Sequence, residues 1–199
     1  MNLKHVYLSL LFYLVSAFGI SLTIKAGIGV SSFNSLNVTL SEFSQIRVGT
    51  ITTMINLIFL LMSFLIDKQP KLMSYALMIL SLLLFGYTIN LITYSIIGYF
   101  EIRQYVIKII VFIIGVIIAG FGTGKVLNYY VFNFPIEKFC LLLAQRTTRS
   151  FKFYRYAIDL ICIAAAMSLA LFFNLTITVR EGTIISFILL SAVISWAKE

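Results

Sequence analysis

The stretch VGTITTMINLIFLLMSFLI, Val48 to Ile66, carries no charge and is closed on its two sides by Arg47 and Asp67. A continuous apolar run of this kind crosses a bilayer as a helix. About 20 residues rising 1.5 Å each span the ~30 Å hydrocarbon core, where no water can satisfy an open backbone group. Five further runs repeat the pattern: Val6 to Ile24 between Lys4 and Lys25, a run within Leu72 to Phe100, one within Ile109 to Gly124 between Lys108 and Lys125, Tyr156 to Phe173 with Asp159 inside it, and Gly182 to Ala197. The first run exceeds a typical signal-peptide core and no small-x-small cleavage site follows, so it is expected to be retained. The predicted fold is all-α: a polytopic membrane protein with six transmembrane helices, one membrane domain over residues 1–199.

Composition agrees with the runs. Of 199 residues, 61% are hydrophobic and 11% charged, against about half and a quarter in soluble domains. Mean hydropathy is +1.04. The net charge of +8 would suggest nucleic acid in a soluble protein; placed on six spans it becomes a topology signal and no nucleic-acid partner is expected. On the side of the termini lie Lys4, Lys68, Lys71, Lys125, Lys138, Arg146, Arg149, Lys152, Arg155 and Lys198; the other side has Lys25, Arg47, Arg103, Lys108 and Arg180. Basic loops stay cytoplasmic, so both termini are expected inside a bacterial plasma membrane, in contact with anionic lipid. Cys140 and Cys162 fit no metal or disulfide spacing and read as small apolar fillers.

Two segments break the apolar pattern without becoming ordinary loops. Ala26 to Ser41 is uncharged but carries Ser31, Ser32, Asn34, Ser35, Asn37, Thr39 and Ser41; Val126 to Gln145 carries Asn128, Asn133, Pro135 and Glu137 among Tyr129, Tyr130, Phe132 and Phe134. Such chain is tolerated at membrane depth only under cover of protein or along a wet cavity, which predicts two re-entrant or interfacial segments. A shift of 103 positions superposes them. Phe18-Gly19 then falls on Phe121-Gly122, Ser32 on Pro135, Asn34 on Glu137, and Ile55-Asn56-Leu57-Ile58 on Ile158-Asp159-Leu160-Ile161. The offset predicts a repeat, about residues 5–100 and 105–199. Three helices per half would make it inverted, as in many secondary transporters.

These residues resemble the YczE/YyaS/YitT family of bacterial integral membrane proteins. The resemblance rests on Ala26-Gly27-Ile28-Gly29 with Ser32-Phe33-Asn34, the Gly49-Thr50 step opening helix two, Pro135-Ile136-Glu137, the basic turn Arg146 to Arg155, Asp159, and Gly182-Thr183. Here Phe132 stands in place of a glycine, Glu137 in place of the more frequent Asp, and Ser32 in place of a proline. The resemblance implies an architecture and, for a largely uncharacterised family, a transport or accessory role.

Candidate cavity or solute-binding residues are Asp159, Asn56, Asn34, Glu137, Ser32, Pro135 and Asn90. An ionised acid at the bilayer centre costs about 2.5 to 3.5 kcal/mol. Asp159 therefore has two readings: a proton- or cation-coupled site facing Asn56 across the repeat, or an interfacial partner of Arg155 four residues earlier on one helix face. Asn90 with Thr88 has two as well, as a cavity wall or as a tie between helices. Small residues in Gly115 to Gly124 and Ala164 to Ala170 predict close helix packing.

With one histidine, His5, at a helix end and no GxSxG, HExxH, P-loop or GxGxxG, no enzyme, cofactor or metal is expected. The expected function is a small transporter-like protein for an unidentified small solute, with a second copy of the chain as a partner in a homodimer. The alternatives are a substrate-binding subunit like the S-components of vitamin importers, docking through Ala164 to Ala170, and a non-transporting membrane scaffold.

Overall fold

The computed structural model describes residues 3–129 and 133–198. Tyr130 and Phe132, quoted above, lie outside the described residues. Among the described residues eight α-helices follow one another: α1 (Leu3–Ala26), α2 (Ser32–Ser44), α3 (Val48–Ile66), α4 (Leu72–Asn90), α5 (Tyr105–Tyr129), α6 (Pro135–Arg146), α7 (Phe151–Phe173) and α8 (Glu181–Lys198). A π-helical stretch, Leu91–Ile96, prolongs α4. Six of these helices are long and apolar enough to cross a membrane: α1, α3, α4 with its π extension, α5, α7 and α8. Large apolar side chains such as Leu65, Leu160, Leu171 and Ile188 point outward, the arrangement that lipid as solvent permits.

Helix α3 occupies the residues read from its flanking charges. Four spans run further than their charge-free runs: α1 takes in Lys4 and Lys25, α5 continues past Lys108 and Lys125, α7 begins at Phe151 instead of Tyr156, and α8 takes in Glu181 and Lys198. Lysines at helix ends snorkel, so a charge need not end a helix; Lys125 folds over the Phe121 ring at 5.9 Å. The start of α7 is fixed by Ser150, whose hydroxyl accepts from the Phe153 N–H at 3.3 Å.

Glycines set which spans approach. At the α1–α5 crossing a Cβ on Gly19 would strike the Ala119 amide and lie 2.6 Å from the Gly115 carbonyl. Reciprocally, a Cβ on Gly122 would lie 2.7 Å from the Phe12 carbonyl and the Ser16 amide. Beside this crossing the Ser16 and Thr123 hydroxyls bond at 3.0 Å. Gly49 and Gly86 likewise bring α3 against α4. Positions 103 residues later hold Lys152 and Leu189, and α7 and α8 do not pack along their lengths. Tyr156 and Phe187 stand between them with rings 5.8 Å apart. The core centres on buried Tyr13, stacked on Phe134 at 4.1 Å and edge-on to Phe85, with Met78, Leu82, Ile89 and Val126 around it.

Each end of the bundle is closed by contacts of a short helix or the residues just before it. Opposite the termini, the Val30 N–H donates to the Thr178 carbonyl (3.3 Å), Thr39 bonds Thr178 (3.0 Å), and Glu42 accepts from the Thr176 N–H and hydroxyl at 3.0 Å each. On the termini side Lys138 pairs with Asp67 at 3.1 Å, the Tyr75 hydroxyl donates to Asp67 at 2.9 Å, and the Arg146 guanidinium donates to the Ile66 carbonyl. Partial burial pushes the Asp67 carboxyl up, but Lys138, the Gln69 N–H and Tyr75 outweigh it and hold the carboxyl below its ordinary 3.8. A depressed native pKa makes this latch fully stabilising above 3.8, with the stabilisation lost as pH falls through the lower native value.

Candidate functional site

Helices α2 and α6 are too short to cross. At 13 and 12 residues each rises roughly 20 Å, well under the ~30 Å core. Helix α2 ends where Phe43 meets Phe173 at the far end of α7, and α6 ends where Arg146 meets Ile66 at the termini-side end of α3. Both begin at one cavity between them, of about 110 Å³. Neither start is capped by a side chain: Ser31 makes no cap bond and Phe134 has no group to make one. The open N–H groups of the two first turns give each end a partial positive charge of roughly half an elementary charge.

Around these two ends stand Asn34, Thr52, Asn56, Glu137 and Arg155, with Phe33, Phe85, Val116 and Leu190 as apolar wall. The Asn56 amide nitrogen donates to the Thr52 carbonyl at 2.9 Å. Asn34 is 8% exposed and its side chain makes no hydrogen bond among the described residues. The Arg155 guanidinium serves two acids: Nη1 to Asp159 Oδ1 at 2.7 Å, Nε to Glu137 Oε1 at 3.9 Å. Glu137 Oε2 is buried and has no hydrogen-bond partner among the described residues. One turn along α2, Asn37 is fully buried and neither amide atom has a hydrogen-bond partner among the described residues.

Of the residues singled out in the sequence, Asn34, Asn56 and Glu137 line the cavity. Asp159 stands one turn behind its wall, on Arg155. Ser32 and Pro135 are the first residues of α2 and α6 and set where those helices start, without lining the space themselves. Asn90 is elsewhere: its Oδ1 accepts from the Gly49 N–H at 2.8 Å and its Nδ2 donates to Thr50 Oγ1 at 3.0 Å, so it ties α4 to the start of α3. Arg155 and Thr52 were not among the cavity candidates. The offset of 103 that pairs Asn34 with Glu137 also pairs Thr52 with Arg155, Phe33 with Ile136 and Ser31 with Phe134, all of them lining residues.

A second depression, of about 200 Å³, lies on the face opposite the termini, beside Gly29, Glu42 and Arg180. Among the described residues no three His, Cys, Asp or Glu side chains gather as a metal site would require.

A family of unknown function, DUF6198, matches the chain over residues 3–199. The chain belongs to this family. Its similarity to the uncharacterised protein YyaS of Bacillus subtilis (strain 168) is 29% identity over 152 residues, covering 74% of each chain. That relation agrees with the family resemblance carried by the glycine steps and the Pro135-Ile136-Glu137 triplet. No solved structure matches. For a DUF6198 protein, function must therefore be argued from the cavity itself.

Proposed function

We propose that this DUF6198 protein is a transporter-like protein of the bacterial plasma membrane that passes a small solute through the cavity between α2 and α6, without being an enzyme. The observation that carries the reading is the meeting of two opposed half-length helices, N-terminus toward N-terminus, at one partly polar cavity inside a six-span bundle. Half-helix ends of this kind supply a solute site at mid-membrane while the remaining spans shield their backbone from lipid.

An inverted repeat accounts for the arrangement. Helices α2 and α6 begin 103 residues apart, at Ser32 and Pro135, and α3 and α7 also begin 103 apart, at Val48 and Phe151. The α1–α5 crossing obeys the same offset: Gly19 meets Gly115 and Ala119, while Gly122 meets Phe12 and Ser16. With three spans in each half, the second enters the membrane opposite to the first. The excess of Lys and Arg on the termini side puts both termini in the cytoplasm. The latches at Thr178 and at Asp67 then become the outer and inner closures of the path.

A water-filled route is testable with cysteines. In a background lacking Cys140 and Cys162, cysteine at Thr52 or Asn56 should react with a small water-soluble thiosulfonate reagent in isolated membranes, whereas cysteine at the lipid-facing Leu160 should not. Failure of both cavity positions to react from either face in a folded protein would remove the transport reading.

A further inference from the structure

The two half-helix ends are chemically unlike. In the first turn of α6 stands Glu137, whose negative charge offsets that helix end; the position 103 residues earlier, in the first turn of α2, holds the neutral Asn34. The α2 end is thus a positive helix terminus with open N–H groups and an amide that has no partner of its own, 92% removed from solvent and lining the cavity. This is an acceptor-seeking site. The wall beside it, Phe33, Phe85 and Val116, suits a short hydrocarbon group.

Charge limits what can enter. With both acids ionised, Arg155, Glu137 and Asp159 sum to one negative charge. Two helix ends of roughly half a positive charge each bring the cavity to neutrality. A bound anion would leave one negative charge uncompensated away from water, which low dielectric penalises heavily. One proton restores neutrality, and the geometry says where it goes. Asp159 is held by Arg155 at 2.7 Å, which favours its charged form, while Glu137 touches that guanidinium only at 3.9 Å and has a second oxygen with no hydrogen-bond partner among the described residues. The other groups facing Glu137 are Cys140 on its own helix and Tyr13 of α1, both fully buried, and the uncharged Thr52 and Asn56 of α3.

We infer that the cavity takes a small monocarboxylate together with one proton, the carboxylate at the N-terminus of α2 beside Asn34 and the proton on Glu137. The Glu137 carboxylate becomes a carboxylic acid, no other bond changes, and the pair crosses without net charge. This deepens the transport reading and rests on it.

The test is calorimetric titration of the purified chain with acetate, propionate and butyrate, using propionamide as neutral isostere and chloride as an anion without a hydrocarbon group. At least one carboxylate should bind. Its affinity should tighten as pH is lowered from neutrality into mild acid, by up to about tenfold per pH unit while free Glu137 is ionised, since one proton is then taken up per anion bound. Glu137→Gln should bind it with no pH dependence, and Asn34→Leu should lose it. Equal binding of propionamide or chloride, a pH-independent wild type, or a steep dependence surviving in Glu137→Gln would each overturn the inference. So would the absence of carboxylate binding in a protein whose Thr52 cysteine does react from water; that result would leave the transport reading standing. Should Glu137→Gln fail to fold, the wild-type pH dependence and the propionamide comparison still decide.

Discussion

Arg155→Ala is expected to destabilise the protein by about 2 to 4 kcal/mol, toward the low end of what removing one partner from a buried ionic cluster costs, because the three side chains keep 16 to 28% of their surface exposed. Two carboxylates, Glu137 and Asp159, lose their shared cation at once, and among the described residues no other cation lies within ion-pair distance of either. Neutralising one of them should undo part of the loss, so Arg155→Ala with Asp159→Asn should melt above Arg155→Ala alone. Thermal unfolding of the purified variants reads both effects. A loss within about 1 kcal/mol would mean that the cluster is solvated like an ordinary interfacial pair. It would then return Asp159 to the plain i,i+4 partnership its spacing also allows.

Gly19→Val should remove the folded monomer altogether. Overpacking a side chain against other side chains costs about 1 to 3 kcal/mol, because flexible neighbours can move. At Gly19 the obstacles are the backbone of Ala119 and Gly115, so α1 and α5 would have to separate along their crossing. Gly122→Val should behave alike, since it meets the backbone of Phe12 and Ser16 in the reciprocal geometry. Ile114→Val, on an outward position of the same helix, is the control and should be tolerated. Size-exclusion profiles in detergent check the set. A monodisperse Gly19→Val protein with an unchanged melting temperature would show that the crossing is not as tight as drawn.

Much of this was legible in the sequence because lipid leaves few options. The span Val48–Ile66 could be read to the residue, since Arg47 and Asp67 flank a run of the right length and both end in exposed or latched positions. The ends of α5 could not, because Lys108 and Lys125 lie on its faces and snorkel. The two polar segments were visible as exceptions to the apolar pattern, and the offset of 103 paired them. What the residues could not say was that they are helices aimed at one another, since a 13-residue polar helix and a polar loop have similar compositions. Asn90 shows the limit of single polar residues in spans. An amide can line a cavity or tie two helices, and only the close approach allowed by Gly49 and Gly86 brings its Oδ1 onto the Gly49 N–H. Arg155 was hidden by its position near the basic turn, where it reads as one more cytoplasmic charge. Its match with Thr52 at the offset of 103 was the available signal.

The central claim is that α2 and α6 enter the membrane from opposite faces and point their N-termini at a common cavity. Single cysteines at Ser44 and Gln145, exposed near the C-terminal ends of α2 and α6, test it most directly in a background without Cys140 and Cys162. A membrane-impermeant maleimide applied to intact cells should label Ser44→Cys, and should label Gln145→Cys only after the membrane is opened. Labelling of both from the same face would contradict the inverted arrangement and the function built on it.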